Sequence, residues 1–370
     1  MARMQRLWLR VHRWVALGIG WILVLSGLTG AVLVAAKPLD RWFHPELFIA
    51  PAAHAARAAV PLDGIVRTLR SEFGPKASFT LRPPRQADDT LWVLVRGPWD
   101  GTVYLDPATG AETGRRGETE GFANALFKLH SSLWLRDTGK AILAWAALAY
   151  LLLLVTGLVL WWPRRWPPSL RIELRKGTMR ALFDLHRIGG AVAGLLIAVS
   201  VATGAYMAWR PLTGVVTAIA GAVPVAAPAI PKDNGGSHGS HASPPLDVLI
   251  ANAQAALPGM PIGYIQIPAQ PHRPVRIRFR LPDDPHPNGL TSVWLHPRSG
   301  EVLAVHRWNE LDPGARAVAV VYPLHTGTLG GVLLEVSIAV GGLLLAAIGG
   351  TGVWLWWRRR QVRRAGSRRQ

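Results

Sequence analysis

Four stretches of this chain are apolar for long enough to cross a hydrocarbon core of about 30 Å, which takes roughly 20 helical residues. They cover residues 15–36, 141–162, 188–209 and 332–357. Between them the pattern changes. In residues 37–140 and 210–331, Thr102-Val103-Tyr104-Leu105-Asp106-Pro107 with Gly110, and Ser292-Val293-Trp294-Leu295-His296-Pro297 with Gly300, each read as a strand running into a Pro/Gly turn. Upstream, Pro61-Leu62-Asp63 and Pro245-Leu246-Asp247 each open a segment with helical apolar spacing, carried by Ile65, Leu69 and Phe73 in the first. Each outer segment is expected to hold a helix followed by antiparallel strands. Residues 231–245, rich in Gly, Ser and Pro, are expected to be a flexible linker.

Composition supports a membrane class: half of the 370 residues are hydrophobic, too many and too unevenly spread for one ordinary soluble domain. The first apolar stretch follows Arg3, Arg6, Arg10 and Arg13 as a signal peptide would, but it is too long for one. Lys37-Pro38-Leu39-Asp40 also lacks a small-x-small cleavage pattern. It reads as a retained helix. The net charge of +19 is concentrated in residues 1–14, 163–187 and 358–370, where 18 Lys and Arg face only Glu173 and Asp184. Basic residues set against membrane spans follow the positive-inside rule, so both termini and the 163–187 loop are expected in the cytoplasm and the two long segments outside. That placement speaks against nucleic acid as a partner. The chain has no cysteine, which excludes disulfides, thiolate metal sites and haem attached through C-x-x-C-H.

The two halves resemble each other. His12-Arg13, Gly20, Ser26 and Thr29-Gly30-Ala31 recur with the same spacing as His186-Arg187, Gly194, Ser200 and Thr203-Gly204-Ala205. Leu129-His130 and Thr156-Gly157 through Trp161-Trp162 likewise recur as Leu324-His325 and Thr351-Gly352 through Trp356-Trp357. A repeat with two spans keeps its direction, and parallel repeats are related by an axis along the membrane normal. Equivalent residues then lie at equal depth, so His12 is matched with His186 at the inner margin and His130 with His325 at the outer one.

A haem takes two axial ligands on opposite sides of its ring, which a pseudo-twofold axis supplies by placing one imidazole from each half. Two such pairs imply two haems, and without cysteine they are b-type, held by axial ligands and an apolar pocket. The competing reading is four interfacial side chains that snorkel or cap; their symmetric placement favours ligation. His130 and His325 precede their apolar runs by some ten residues, so either the outer haem sits at the interface or residues 129–135 form a short helix folded back towards the membrane. The small residues of Ser26-Gly27-Leu28-Thr29-Gly30 and Thr203-Gly204-Ala205 fit a flat macrocycle and equally fit plain helix packing. Arg13 and Arg187 have the chemistry to hold haem propionates and equally to set topology. His238 and His241, in the linker, offer no preformed metal geometry. Arg276, Arg278 and Arg280 alternate along an expected strand without marking a pocket.

At these residues the chain resembles the PepSY-associated transmembrane family of iron-uptake membrane proteins, which includes inner-membrane ferrisiderophore reductases. The resemblance rests on His12-Arg13-Trp14 with Ser26-Gly27-Leu28-Thr29-Gly30, on Phe183-Asp184-Leu185-His186-Arg187, on Tyr322-Pro323-Leu324-His325-Thr326-Gly327, and on the Thr-Gly and Trp-Trp helix ends. It implies an α-helical membrane protein of four transmembrane helices in two parallel repeats, each with an α+β PepSY-like outer domain. It further implies a core with two b-type haems that passes electrons outward to a ferric siderophore or similar chelate. Some relatives carry a fused flavoprotein domain; none follows Trp357 here, so a separate cytoplasmic protein or a quinol is the expected donor. The expected layout is 1–36 for the N-terminus and first span, 37–140 and 210–331 for the outer domains, 163–187 for a basic loop and 358–370 for a basic tail. Two other functions compete. A membrane-anchored pair of PepSY domains acting on an envelope protease leaves the repeated histidines without a role. A permease finds little to couple ions with, Glu335, near a helix start, being the one carboxylate within the four apolar stretches.

Overall fold

The computed structural model describes residues 2–51, 58–163, 166–223, 225–230 and 244–367. The linker expected at 231–245, with His238 and His241, lies almost wholly outside them. The chain divides into two compact units. One comprises Met1–Ala36, Leu126–Val216 and Leu324–Gln370, the other Lys37–Ala125 and Thr217–Pro323.

The first unit is helical. Among the described residues four helices are long and apolar enough to cross a membrane: α1 (Ala2–Phe43), α5 (Arg136–Trp161), α6 (Thr178–Ala208) and α11 (Gly331–Ser367). All but α5 extend well beyond the apolar stretches. Hydropathy marks the bilayer's thickness, whereas backbone hydrogen bonding carries a helix on into polar sequence until a breaker stops it. Thus α6 begins at Thr178, just after Gly177 with φ +87°, and His186 lies within a helix instead of in the loop expected over 163–187. Leu23 of α1, Tyr150 and Leu153 of α5, Ile197 and Ala198 of α6 and Leu345 of α11 share one apolar core. Where α1 meets α11, a Cβ added at Gly27 would lie 2.5 Å from the carbonyl oxygen of Gly342, and one at Gly342 would lie 2.5 Å from that of Gly27. Small residues that let backbones meet are a common way of packing helices where lipid removes the hydrophobic drive.

Two short helices of this unit carry histidines. Helix α4 (Phe122–Ser132) is separated from α5 by a tight turn in which Leu133, Trp134 and Arg136 all have positive φ. Gly139 permits it, because a Cβ there would strike the carbonyl oxygen of Ser132. Helix α10 (Val321–Thr326) stops at Gly327, φ +84°, where a Cβ would overlap the backbone of Glu335. Of the two arrangements expected around 129–135, a short helix ahead of the second span is present: it is α4, with earlier bounds. Helix α7 (Arg210–Ile219) follows α6.

The second unit contains the short helices α2 (Pro45–Phe48) and α9 (Pro313–Ala319) and a two-layer α+β body. Helix α3 (Leu62–Phe73) precedes β1 (Ser78–Arg82), β2 (Leu91–Arg96), β3 (Gly101–Leu105) and β4 (Glu112–Gly117). Helix α8 (Leu246–Ala256) precedes β5 (Ile262–Ile267), β6 (Val275–Phe279), β7 (Thr291–Leu295) and β8 (Val302–His306). Sequence alone reads the two outer segments as separate domains, yet their strands form one antiparallel sheet in the order β4-β3-β2-β1-β5-β6-β7-β8. β1 and β5 join it, with Phe79 opposite Ile267 and Leu81 opposite Ile265. Joining them satisfies two strand edges that separate domains would leave open. Period-two alternation puts Phe79, Leu81, Val93, Val103, Ile265, Ile277, Phe279 and Val293 on one buried face under Ile65, Val66 and Leu69 of α3 and Leu246, Leu249 and Ala253 of α8.

The repeated Pro-Leu-Asp motif has a structural use. Asp247 accepts from the backbone N–H of Leu62 (3.0 Å) and Asp63 (3.1 Å), and Asp63 accepts from that of Leu246 (3.0 Å). Each aspartate caps the other helix, satisfying N–H groups that have no partner within their own helix and placing negative charge at its positive end.

Candidate functional site: two facing histidine pairs

Each of the four histidines singled out from the sequence is half-buried in the membrane unit, and each meets a Thr-Gly dipeptide of a neighbouring helix. His12 Nδ1 of α1 lies 2.8 Å from Thr156 Oγ1 of α5. His130 Nδ1 of α4 lies 3.0 Å from Thr29 Oγ1 of α1. His186 Nδ1 of α6 lies 3.0 Å from the carbonyl oxygen of Ile348 and 3.4 Å from Thr351 Oγ1, both of α11. His325 Nδ1 of α10 lies 3.0 Å from the carbonyl oxygen of Ser200 and 3.1 Å from Thr203 Oγ1, both of α6.

These contacts fix the tautomers. A carbonyl only accepts, so His186 and His325 carry their proton on Nδ1 and donate it. Thr156 Oγ1 donates to the carbonyl of Leu153 (3.0 Å) and Thr29 Oγ1 to that of Leu25 (2.7 Å), so each hydroxyl accepts from its histidine. All four imidazoles therefore present Nε2 as a bare lone pair, the form that binds a metal, with the ring oriented by the bond at its other nitrogen.

The glycine after each threonine lies beneath the ring. A Cβ at Gly30 would stand 3.0 Å from His130 Cε1, at Gly204 3.0 Å from His325 Cε1, at Gly352 3.1 Å from His186 Cε1 and at Gly157 3.5 Å from His12 Cε1. Sequence leaves these glycines between macrocycle clearance and helix packing; their close neighbours are the histidines. The role of these threonines escapes a reading of the sequence, although each precedes a glycine within one of the four apolar stretches.

The histidines face one another across the halves. The ring centres of His12 and His186 are 6.3 Å apart with planes at 84°, and those of His130 and His325 are 6.2 Å apart with planes at 38°. The run of α1 from His12 to Gly30 is as long as the run of α6 from His186 to Gly204. At about 1.5 Å per residue each run rises about 27 Å, close to the thickness of a hydrocarbon core, and this rise separates the two pairs.

A haem can be tested against this geometry. An imidazole nitrogen binds a metal at about 2 Å and lies about 1.1 Å from its ring centre, so imidazoles on opposite sides of one metal have centres about 6.2 Å apart. Both pairs meet that requirement. Arg187 is less available than expected, since its Nη2 donates to the carbonyl of Ser169 (3.4 Å) and lies 3.9 Å from Asp184 Oδ1. Arg13 is half-buried. Among the described residues no group of three or more His, Cys, Asp or Glu is placed to hold a metal ion; the sites here are pairs.

A helical unit with four membrane-capable helices and paired, lone-pair-presenting histidines, in a chain that also has an α+β unit, defines a polytopic membrane protein. The chain belongs to the family described as the PepSY-associated TM region, whose family model matches residues 9–359. No curated protein matches it as a relative.

Proposed function

We propose that this protein is a two-haem electron-transfer protein of a bacterial inner membrane, and that it delivers electrons outward to a ferric siderophore or similar chelate. The observation that carries the reading is the separation of the two ring pairs, 6.3 and 6.2 Å. Direct ring contact favours offset-stacked or edge-to-face pairs, and the 38° of His130 and His325 is neither. A shared metal constrains the distance and leaves the angle free, which fits 84° in one pair and 38° in the other.

In this reading His12 and His186 hold one b-type haem and His130 and His325 the other. When bound, each haem supplies a one-electron couple. The protein's own groups orient the ligands: threonine hydroxyls and carbonyls hold Nδ1–H, and glycines leave room for the rings. With both termini in the cytoplasm by the positive-inside rule, electrons move outward with the field, at about 2.3 kcal/mol per 100 mV for the full crossing. Reduction weakens a hard-oxygen chelate because ferrous iron is the poorer partner. The electron donor is a separate cytoplasmic protein or a quinol. The matching Pro-Leu-Asp caps and the succession of helix and four strands in each outer segment support a chain built from two parallel copies, each with a PepSY-like domain.

The test is the absorption spectrum and pyridine haemochrome of the purified, folded chain, with its iron-to-protein ratio. Haem-free protein would overturn the reading.

A further inference from the structure

The face of the outer sheet opposite α3 and α8 is unlike its core face. Residues paired across antiparallel strands share a face. Trp92 pairs with Arg82, Tyr264 with Arg278, Arg278 with Ser292, and Ser292 with His306. Because Leu81 lies opposite Ile265, Arg82 continues that register to Tyr264. One row thus runs Trp92, Arg82, Tyr264, Arg278, Ser292 and His306 across six strands. Beside it Gln266 pairs with Arg276 and Arg276 with Trp294.

Among the described residues these arginines make no ion pair. The arginine ion pairs of this unit belong to Arg41, Arg67, Arg96, Arg115, Arg116 and Arg307. Among the described residues Arg82, Arg85, Arg276, Arg278 and Arg280 make none. They are held by neutral groups. Arg278 Nη1 donates to Tyr264 Oη (2.7 Å) and its guanidinium stands 5.1 Å from that ring's centre. Arg276 donates through Nε and Nη2 to Ser292 Oγ (3.0 and 2.8 Å) and stands 4.9 Å from the Trp294 ring centre. Arg85 Nη2 donates to Asn288 Oδ1. The carboxylates near them are engaged elsewhere: Asp89 accepts from Arg41 (2.7 Å) and from the backbone N–H groups of Arg85 and Gln86, and Asp284 accepts from those of His286 and Leu290. Most telling, Arg82 Nε and Arg278 Nε are buried and have no hydrogen-bond partner. A buried donor without an acceptor is costly, and more so on a cation.

The excess charge is felt by its neighbours. Partial burial of its guanidinium, then the nearby Arg82 and Arg280, push Arg85 below its usual value against the pull of Asp89, although the residue as a whole is exposed. Burial, then Arg278, Arg85, Arg82 and Lys37, push the His286 imidazole down to about 4.

We propose that Arg82, Arg85, Arg276 and Arg278, with Trp92, Tyr264 and Trp294 beside them, form the binding site for an anionic, oxygen-ligated ferric chelate. The proposal rests on the electron-transfer reading only in naming the anion a chelate. Guanidinium forks fit carboxylate or catecholate oxygens two at a time, and the Tyr264 and Trp294 rings hold the Arg278 and Arg276 guanidinium groups in place. A neutral hydroxamate chelate would gain little from such a surface.

The test is equilibrium dialysis of the full, detergent-solubilised chain against three radio-iron probes: ferric citrate, ferric tris-catecholate and a neutral ferric trihydroxamate. Haem content is measured on the same samples. The anionic probes are expected to bind more tightly than the neutral one, with affinity falling as salt is raised. Arg82→Gln should weaken anionic-probe binding about 10-fold or more, the scale of a lost charge-assisted hydrogen bond. Arg85→Gln, at an exposed position that leaves the fold intact, should weaken it in the same direction. Arg67→Gln, on the far side of α3 and paired with Asp63, should leave it unchanged. Equal binding of the neutral probe, or unchanged binding in folded Arg82→Gln and Arg85→Gln, would overturn the proposal. Loss of haem from either variant would also overturn it, by assigning the arginines to haem propionates. Arginine-dependent anion binding by a haem-free chain would support the site while overturning the electron-transfer reading.

Discussion

His12 and His186 hold their ring centres 6.3 Å apart while each commits its Nδ1 to a different helix, His12 to Thr156 of α5 and His186 to Ile348 and Thr351 of α11. In the neutral imidazole the bond at Nδ1 orients the ring and leaves Nε2 as the nitrogen without a proton. These contacts tie α1 to α5 and α6 to α11, and the consequences can be tested residue by residue.

The hydroxyls of Thr156 and Thr29 are the nearest partners of Nδ1 of His12 and His130, whereas at His186 and His325 a carbonyl at 3.0 Å is nearer than the threonine hydroxyl. Loss of a partner that orients a ligand typically costs about 10–100-fold in metal affinity. Thr156→Val and Thr29→Val should therefore weaken haem retention by about 10-fold or more and shift the reduction potential of one haem. Thr203→Val and Thr351→Val should do less. Haem retention against apomyoglobin and a redox titration measure both; equal effects at all four threonines would contradict the proton assignments.

Alanine at Gly30 or Gly204 would bring a Cβ within 3.0 Å of an imidazole carbon, while at Gly157 the distance is an ordinary 3.5 Å. Gly30→Ala and Gly204→Ala should lower the occupancy of the outer pair's haem, and Gly157→Ala should leave the inner one in place. Haem spectra of the three variants report this directly.

Asp63 and Asp247 cap each other's helices, so Asp247→Ala removes an acceptor from two N–H groups. Lost caps typically cost about 0.5–2 kcal/mol. Denaturant unfolding followed by far-ultraviolet circular dichroism should show Asp247→Ala destabilised on that scale, and Asp247→Asn less so.

His286 is neutral in the folded protein: its Nδ1 accepts from the N–H of Asn288 (2.9 Å), and its ring stacks on Tyr322 at 5.2 Å. Its imidazole is held down at about 4 against an ordinary value of 6.5, chiefly by burial and then by nearby arginines. The unfolded chain binds the proton more readily, so stability rises with pH through this window. The outer unit should lose stability as pH falls from about 6.5 towards about 4, and His286→Gln should flatten that dependence in melting curves taken at each pH.

The histidines were legible in the sequence because the same short motifs recur around them. Their threonine partners were not, because Thr-Gly in an apolar helix carries the ordinary signature of close packing, and only the fold shows a ring above each glycine. Helix ends such as Thr178 were missed because an apolar window reports lipid thickness and not backbone hydrogen bonding. The pairing of β1 with β5 had no sequence signal either, since Phe79 and Ile265 would look the same in an edge strand covered by a helix. Arg276 and Arg278 were visible as an alternation, but Arg82 joins them only through the register of a neighbouring strand.

The central claim is most directly tested by the haem-to-protein ratio of the purified chain and of its four single His→Ala variants. Two b-type haems per chain are expected for the unaltered protein. His12→Ala and His186→Ala should each leave one haem with the same spectrum, and His130→Ala and His325→Ala should each leave the other. A folded chain without haem, or folded variants that lose both haems or neither, would contradict it.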